Sequence, residues 1–411
     1  MKTKAIIITI LSVVIFLLSY FLFTTRIEKD KNVINFSSWG SQSEVAVLKS
    51  VIKDFEQDNP NIKINFIHIP ENYNQKLHLL FASNLEPDVI FINNQNIQLY
   101  IKAGLIEDLS PYFENIDNTF FKEAINCFKS DKAIYAIPRD ISNLVLYYNK
   151  EILKQSRVKL PEKIKDIYEL KDILIKLTNS EHFGINFEDN PLYWLYFLAS
   201  NGGGLLSDDK KTVIINSENS IEALNLYSDF VNKYGIAPSK SQIGSMTTAQ
   251  MFINGKLAMY LSGRWMTPKF REVINFDWDI IEFPSSETNK IYIDSSGWAV
   301  TKKSKNKENA IAFIKYLSSK EAIDKFTQIG LIVPARKDSA NSSVFLDKKK
   351  KPEHSSIFIK MLNNAKPTPV TKDYSTIIDI IKESTQELFS GSKRAEDIFN
   401  TKTTEKIERL L

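Results

Sequence analysis

Four of the chain's five tryptophans stand beside turn-forming residues, at points where strands are expected to end: Trp39-Gly40-Ser41, Tyr193-Trp194, Gly263-Arg264-Trp265 and Gly297-Trp298. An indole is a flat apolar platform. A sugar ring presents a face of C–H groups and an edge of hydroxyls, so a site for one needs such platforms together with Asn, Asp, Glu or Arg as hydrogen-bonding partners. These segments supply both. The usual signatures of covalent chemistry are missing: there is no Gly-x-Ser-x-Gly elbow, no phosphate-cradling glycine loop and no His-Glu-x-x-His, and His68, His78, His182 and His354 are scattered. Glycoside hydrolysis stays open, because it needs only two carboxylates brought together by the fold. Cys127 stands alone, which excludes an intramolecular disulfide and a multi-cysteine metal cluster and makes it a small core residue of the Phe120 to Phe128 segment. Neither a catalytic group, a metal nor a cofactor is expected.

The elements that must position these residues come from an ordinary folded chain. At 411 residues, with 43% hydrophobic and 25% charged composition, it has length for two domains and apolar surface to bury. Lys plus Arg outnumber Asp plus Glu by 53 to 49, and so small and dispersed an excess excludes a nucleic-acid surface.

Lys2 and Lys4 precede an uncharged run from Ala5 to Phe23, which the polar stretch Arg26 to Asn32 follows. The run reaches the ~20 apolar residues that span a bilayer as a helix. Its end, Tyr20-Phe21-Leu22-Phe23-Thr24-Thr25, lacks the small residues of a peptidase site, and no cysteine follows for lipidation. Residues 1–25 therefore read as an uncleaved signal anchor, with a cleaved signal peptide as the alternative. Basic residues ahead of the run keep the N-terminus in the cytoplasm and place the remainder outside it.

From Val33 onward strand and helix patterns alternate, which means an α/β sheet. Val33 to Phe36 is a strand; Val45, Leu48, Val51, Ile52 and Phe55 recur at helical spacing; Ile62 to Ile69 is β-rich; Gln75 to Ser83 is a helix; and Pro87 to Ile92 has the apolar run of a strand buried on both faces. Tyr135 to Pro138 followed by Leu144 to Tyr148 marks chain passing from one sheet into another. Helices follow over Asp166 to Leu177, Leu192 to Ser200 and Ile221 to Tyr234, the last capped by Gly235. Trp278 to Phe283 and Ile291 to Ile293 return to strand character, and helices are expected over Glu308 to Leu317, Lys320 to Ile329 and Thr371 to Phe389. Lys348 to Lys351 reads as a solvated loop.

Read in order, these residues resemble the family 1 extracellular solute-binding proteins, the group of sugar-binding components of ABC importers. The resemblance is carried by Ile34-Asn35-Phe36-Ser37-Ser38-Trp39, Pro87-Asp88-Val89-Ile90, Gly104 to Leu109, Ile137-Pro138 with Leu146 to Lys150, Asn201-Gly202-Gly203-Gly204, Phe252 to Met259, Gly263-Arg264-Trp265, Gly297 to Val300 and Pro334-Ala335-Arg336. It implies a two-lobed periplasmic-binding-protein fold of type II with a hinge, the lobes closing over ligand. One lobe would comprise residues 33–138 plus 281–316, the other 139–280 plus 317–411.

The residues assigned to the ligand are Trp39, Trp194, Trp265 and Trp298 for stacking, with Gly203 from the glycine run. Ser41 and Glu44 serve either as a capping box or as ligand contacts. Asn93 and Asn94 either line the crevice at a strand's carboxyl end or start a turn, Asp140 bonds a hydroxyl or shapes a hinge turn, and Arg336 reaches the cleft or pairs with an acid. Arg264 stands where the family commonly has proline, and a guanidinium there suits a carboxylate or phosphate. The function this implies is capture of a sugar or oligosaccharide by a monomer outside the cytoplasmic membrane, for delivery to the permease subunits of an ABC importer. A sensing domain coupled to a membrane kinase and an extracytoplasmic glycoside hydrolase are the alternatives.

Overall fold

The computed structural model describes residues 32–411, so the expected anchor over residues 1–25 lies outside the described residues. Among the described residues no helix is long and apolar enough to cross a membrane. Ten strands matter to the site: β1 (Val33–Ser38), β2 (Lys63–His68), β3 (Val89–Asn93), β4 (Ile137–Ser142), β5 (Leu144–Asn149), β6 (Met259–Gly263), β7 (Trp278–Ile281), β8 (Ile291–Val300), β9 (Val333–Pro334) and β10 (Ala365–Pro367). They form two sheets.

The larger sheet has seven strands in the order β9-β4-β8-β3-β1-β2, with β10 paired to β8. β1 runs parallel to β2 and β3, whereas β8 runs antiparallel to both β3 and β4. The apolar run Val89 to Ile92 is fully buried, as a strand covered on both faces is. The smaller sheet is antiparallel, in the order β6-β5-β7. Only Asn143 separates β4 from β5, so the chain leaves one sheet and enters the other within a single residue. Asn143 is fully buried and donates from Nδ2 to the Phe358 carbonyl at 2.9 Å. The chain returns between Ile281 and Ile291.

Helices cover both sheets: α1 (Gln42–Asp58), α2 (Tyr73–Ala82), α3 (Asn94–Lys102), α4 (Ile167–Lys176), α5 (Pro191–Ser200), α6 (Glu218–Asn232), α7 (Lys307–Leu317), α8 (Lys320–Gln328) and α9 (Tyr374–Phe389). α1 buries Leu48, Val51, Ile52 and Phe55 at helical spacing. Ser41 caps it by accepting from the Glu44 N–H, but the reciprocal half of a capping box does not form, because the Glu44 carboxylate turns to Arg139.

Two sequence expectations are corrected here. The strand expected over Ile291 to Ile293 continues to Val300, because Asp294, Ser295 and Ser296 find partners within the large sheet rather than ending it. From the sequence, residues 139–280 and 317–411 belong with the second lobe, yet β4 runs on to Ser142, α8 packs on α1, β9 pairs with β4 and β10 pairs with β8, so 139–142, 320–334 and 365–367 sit on the large sheet. A helical stripe shows that a face is buried without showing against which sheet.

Candidate ligand-binding cleft

Register delivers the site. In β8 the residue Ser296 lies opposite Asn93 of β3 on one side and Asp140 of β4 on the other, and Trp39 follows directly on β1 at the same edge. In the small sheet Leu144 lies opposite Gly263, so Arg264 and Trp265 emerge from β6 beside the point where the chain crosses between sheets. A cavity of about 200 Å³ results, lined by Trp39, Glu44, Arg139 and Asp140 from one side and by Arg264 and Trp265 from the other. Carboxyl-terminal strand edges are where open α/β sheets take ligands.

The wall contributed by the large sheet is a closed electrostatic unit. Arg139 donates through Nε to Asp140 at 2.8 Å and through Nη1 to Glu44, and all three side chains are buried. The Phe91 ring lies 4.2 Å from the guanidinium and the Phe326 ring 5.1 Å. Burial works against the Arg139 charge, but Glu44 and Asp140 outweigh it and hold the guanidinium above its ordinary value. Burial dominates at Asp140, raising its carboxyl despite Arg139 and the Ser296 N–H that donates to Oδ1 at 3.1 Å. Gly40 makes the Glu44 geometry possible: its φ is +137°, and a Cβ there would come within 2.7 Å of the Glu44 carboxylate. Trp39, half-buried, packs 4.2 Å from Phe91 and edge-on to Tyr73 at 5.0 Å, which fixes one ring at the mouth.

The opposite wall is built differently. A Cβ on Gly263 would come within 1.9 Å of the Trp265 ring, so that ring lies flat against a stretch of backbone only glycine can provide. Tyr147 anchors the turn, donating to the Gly263 carbonyl at 3.0 Å and meeting the Thr267 hydroxyl at 3.0 Å. Arg264 is buried above Phe345, at 4.2 Å, and donates from Nη1 to Ser355 Oγ at 3.1 Å.

The profile of the family described as bacterial extracellular solute-binding protein matches residues 50–353, well over half of the chain. The chain belongs to that family. As a bacterial extracellular solute-binding protein it is similar to the multiple sugar-binding protein of Streptococcus mutans, 25% identical over 322 residues that make up 74% of each chain. It is 24% identical to the maltodextrin-binding protein of Bacillus subtilis over 335 residues, 78% of this chain and 77% of the other. Among solved structures, an ABC substrate-binding protein of Listeria monocytogenes in complex with cycloalternan superposes with a TM-score of 0.83 at 25% identity, covering 92% of this chain and 99% of that one. The family's two-lobed α/β fold is the one described above.

Within this solute-binding protein the expected site residues separate into three groups. Trp39, Glu44, Asp140, Arg264 and Trp265 share the cavity. Ser41 and Asn93 cap α1 and α3, and buried Asn94 bonds Asp294 at 2.8 Å and the Ser295 N–H at 3.0 Å, so these three hold the edge rather than the cavity. The remaining four are elsewhere. Trp194 is buried in α5 with its Nε1–H on the Asp189 carbonyl, and Trp298 is buried within the large sheet against Phe91. Gly203 is packed on Ser220, where a Cβ would come within 2.4 Å of Oγ. Arg336 forks onto Asp338 at 2.8 and 2.9 Å.

Arg139 and Ser296 line the cavity and were not among the expected residues. The adjacent opposite charges in Arg139-Asp140 were the available signal for the first. For the second there was none, since the strand was expected to end before it. A triad of potential metal ligands, Asp279, Glu353 and His354, lies away from the cavity. Lys150 and Lys351 already pair with these carboxylates, so the cluster reads as an ionic clasp that holds the Lys351 to Ser355 loop under Arg264.

Proposed function

We propose that this chain captures a sugar in the cleft between its two sheets and presents it to the permease subunits of an ABC importer. One observation carries the proposal: Trp39 and Trp265, from different sheets, border the same cavity alongside buried groups that accept and donate hydrogen bonds. Indoles on opposite walls suit the two faces of a sugar ring, and Glu44, Asp140 and Arg139 suit its hydroxyl edge. The names of the relatives point the same way. Glu44 and Asp140 are the carboxylates on the cavity, and both are engaged by one guanidinium, so neither is placed to act as a free acid or nucleophile. Binding without covalent change is the reading this favours. The basic residues and uncharged run of residues 1–25 support an extracytoplasmic location with tethering to the membrane, and the chain would work as a monomer.

A thermal-shift screen of saccharides against amino acids and polyamines tests this, because a ligand that binds only the native state adds RT ln(1 + [L]/Kd), about 2.7 kcal/mol at a hundredfold excess over Kd. Stabilisation by saccharides alone is expected, with the hit lost in a Trp39→Ala, Trp265→Ala double variant. Hits confined to amino acids, or a saccharide affinity untouched by the double substitution, would refute it.

A further inference from the structure

We infer that the ligand of this cleft carries an anionic group, a carboxylate or a phosphate, received by Arg264. Given a sugar site here, that makes the natural ligand an acidic sugar: a hexuronate or a hexose phosphate.

The inference starts from an imbalance. Arg139 and Arg264 are comparably buried and line one cavity, yet Arg139 has two carboxylates and Arg264 has none within ion-pair reach among the described residues. A guanidinium has five N–H donors in a planar fork. Of these, Nη1 reaches Ser355 Oγ, which itself donates to the Pro352 carbonyl, while Nε is buried with no partner. The Phe345 and Phe358 rings, 4.2 and 5.5 Å away, attract the cation but accept none of its in-plane hydrogens. The groups whose charge bears on it are Tyr147 and Arg271, and Arg271 adds a second positive charge rather than an opposite one. Burial, the largest influence, brings the guanidinium down to about 9, so it stays charged at neutral pH.

A buried, uncompensated charge costs several kcal/mol. A ligand anion forking onto it recovers that cost through paired, charge-assisted hydrogen bonds. The far wall sets the ligand's direction. Glu44 and Asp140 repel an anion and accept from hydroxyls, which turns the acidic end toward the second lobe and the hydroxyl edge toward the first. Size fits one ring: about 200 Å³ is the liquid volume of about seven water molecules.

Titration calorimetry of the full chain with galacturonate, glucuronate and glucose 6-phosphate, each against galactose or glucose, decides the matter. At least one acidic form is expected to bind about tenfold or more tightly than its neutral parent, and whether a uronate or the phosphate wins names the source of the anion. Arg264→Met is expected to bind acid and parent alike. If that variant does not fold, the wild-type comparison alone is decisive. Neutral parents binding as tightly as their acids would overturn the inference and leave the sugar site standing. Failure of every sugar, acidic or neutral, would overturn both.

Discussion

The two walls of the cleft solve the same problem in opposite ways. On the large-sheet side a buried guanidinium is neutralised by Glu44 and Asp140 before any ligand arrives, and each of its three nitrogens meets a carboxylate. On the small-sheet side an equally buried guanidinium is left with one hydroxyl and two aromatic rings. Buried charge is retained either as part of a closed unit that fixes local geometry or as an open valence that a partner completes. The first arrangement sets the shape of the site. The second leaves a demand on what enters it.

The comparison breaks most readily at Arg139. Arg139→Met leaves Glu44 and Asp140 buried together without a counter-ion, and the expected loss is about 3–5 kcal/mol of unfolding free energy. Arg264→Met removes a charge that has no ion-pair partner and should cost far less or even stabilise the unliganded protein. Denaturant unfolding of both variants reads the difference, and equal losses would erase the distinction between the walls.

A second contrast concerns rings. Trp298 is fully buried between strands, whereas Trp265 is half-buried at the cavity. Trp298→Ala is expected to cost about 3–5 kcal/mol of stability, the usual range for deleting a large core side chain. Trp265→Ala should cost about 1 kcal/mol or less in stability and lower sugar affinity about tenfold, from lost stacking and covered apolar area. Unfolding curves with calorimetry on the same samples check this; an affinity loss at Trp298 with stability intact would reverse the assignment.

These rings also show what the sequence can and cannot say. The alternation of strand and helix, the crossing at Asn143 and the helical stripe of α1 follow from local periodicity, and they emerge within a few residues of their true bounds. Trp265 stands two positions after Gly263 and Trp298 directly after Gly297, yet one lines the cavity and the other fills the sheet. Indoles suit both places, and which one a strand offers depends on what packs on its faces: β8 lies inside the large sheet with α3, α5 and α7 packed on it and is buried along most of its length, so its alternation carries no signal. Asp140 was visible as a polar residue at a crossover, but its dependence on Arg139 and Glu44 joins residues 95 positions apart and no local pattern encodes it. The packing of α8 on α1 escapes for the same reason.

The smallest effect tests unpaired charge within the large sheet itself. Asp294 of β8 is half-buried among neutral partners, accepting from Asn94 Nδ2 and Gln95 Nε2, each at 2.8 Å. Burial outweighs those bonds and holds its carboxyl above the ordinary value. The native state therefore keeps the proton to a higher pH than the unfolded chain, whose Asp titrates near about 3.9. Native protein binds more protons across that window, so the stability this group contributes is full below about pH 4 and is lost as pH rises through the native pKa. Asp294→Asn removes the titration. Plotted against pH, the wild-type stability minus that of the variant should fall on going upward from pH 4 and then level off. A difference that stays flat, or that rises, would mean that Asp294 is paired after all and that buried charge without a counter-ion is confined to the Arg264 wall.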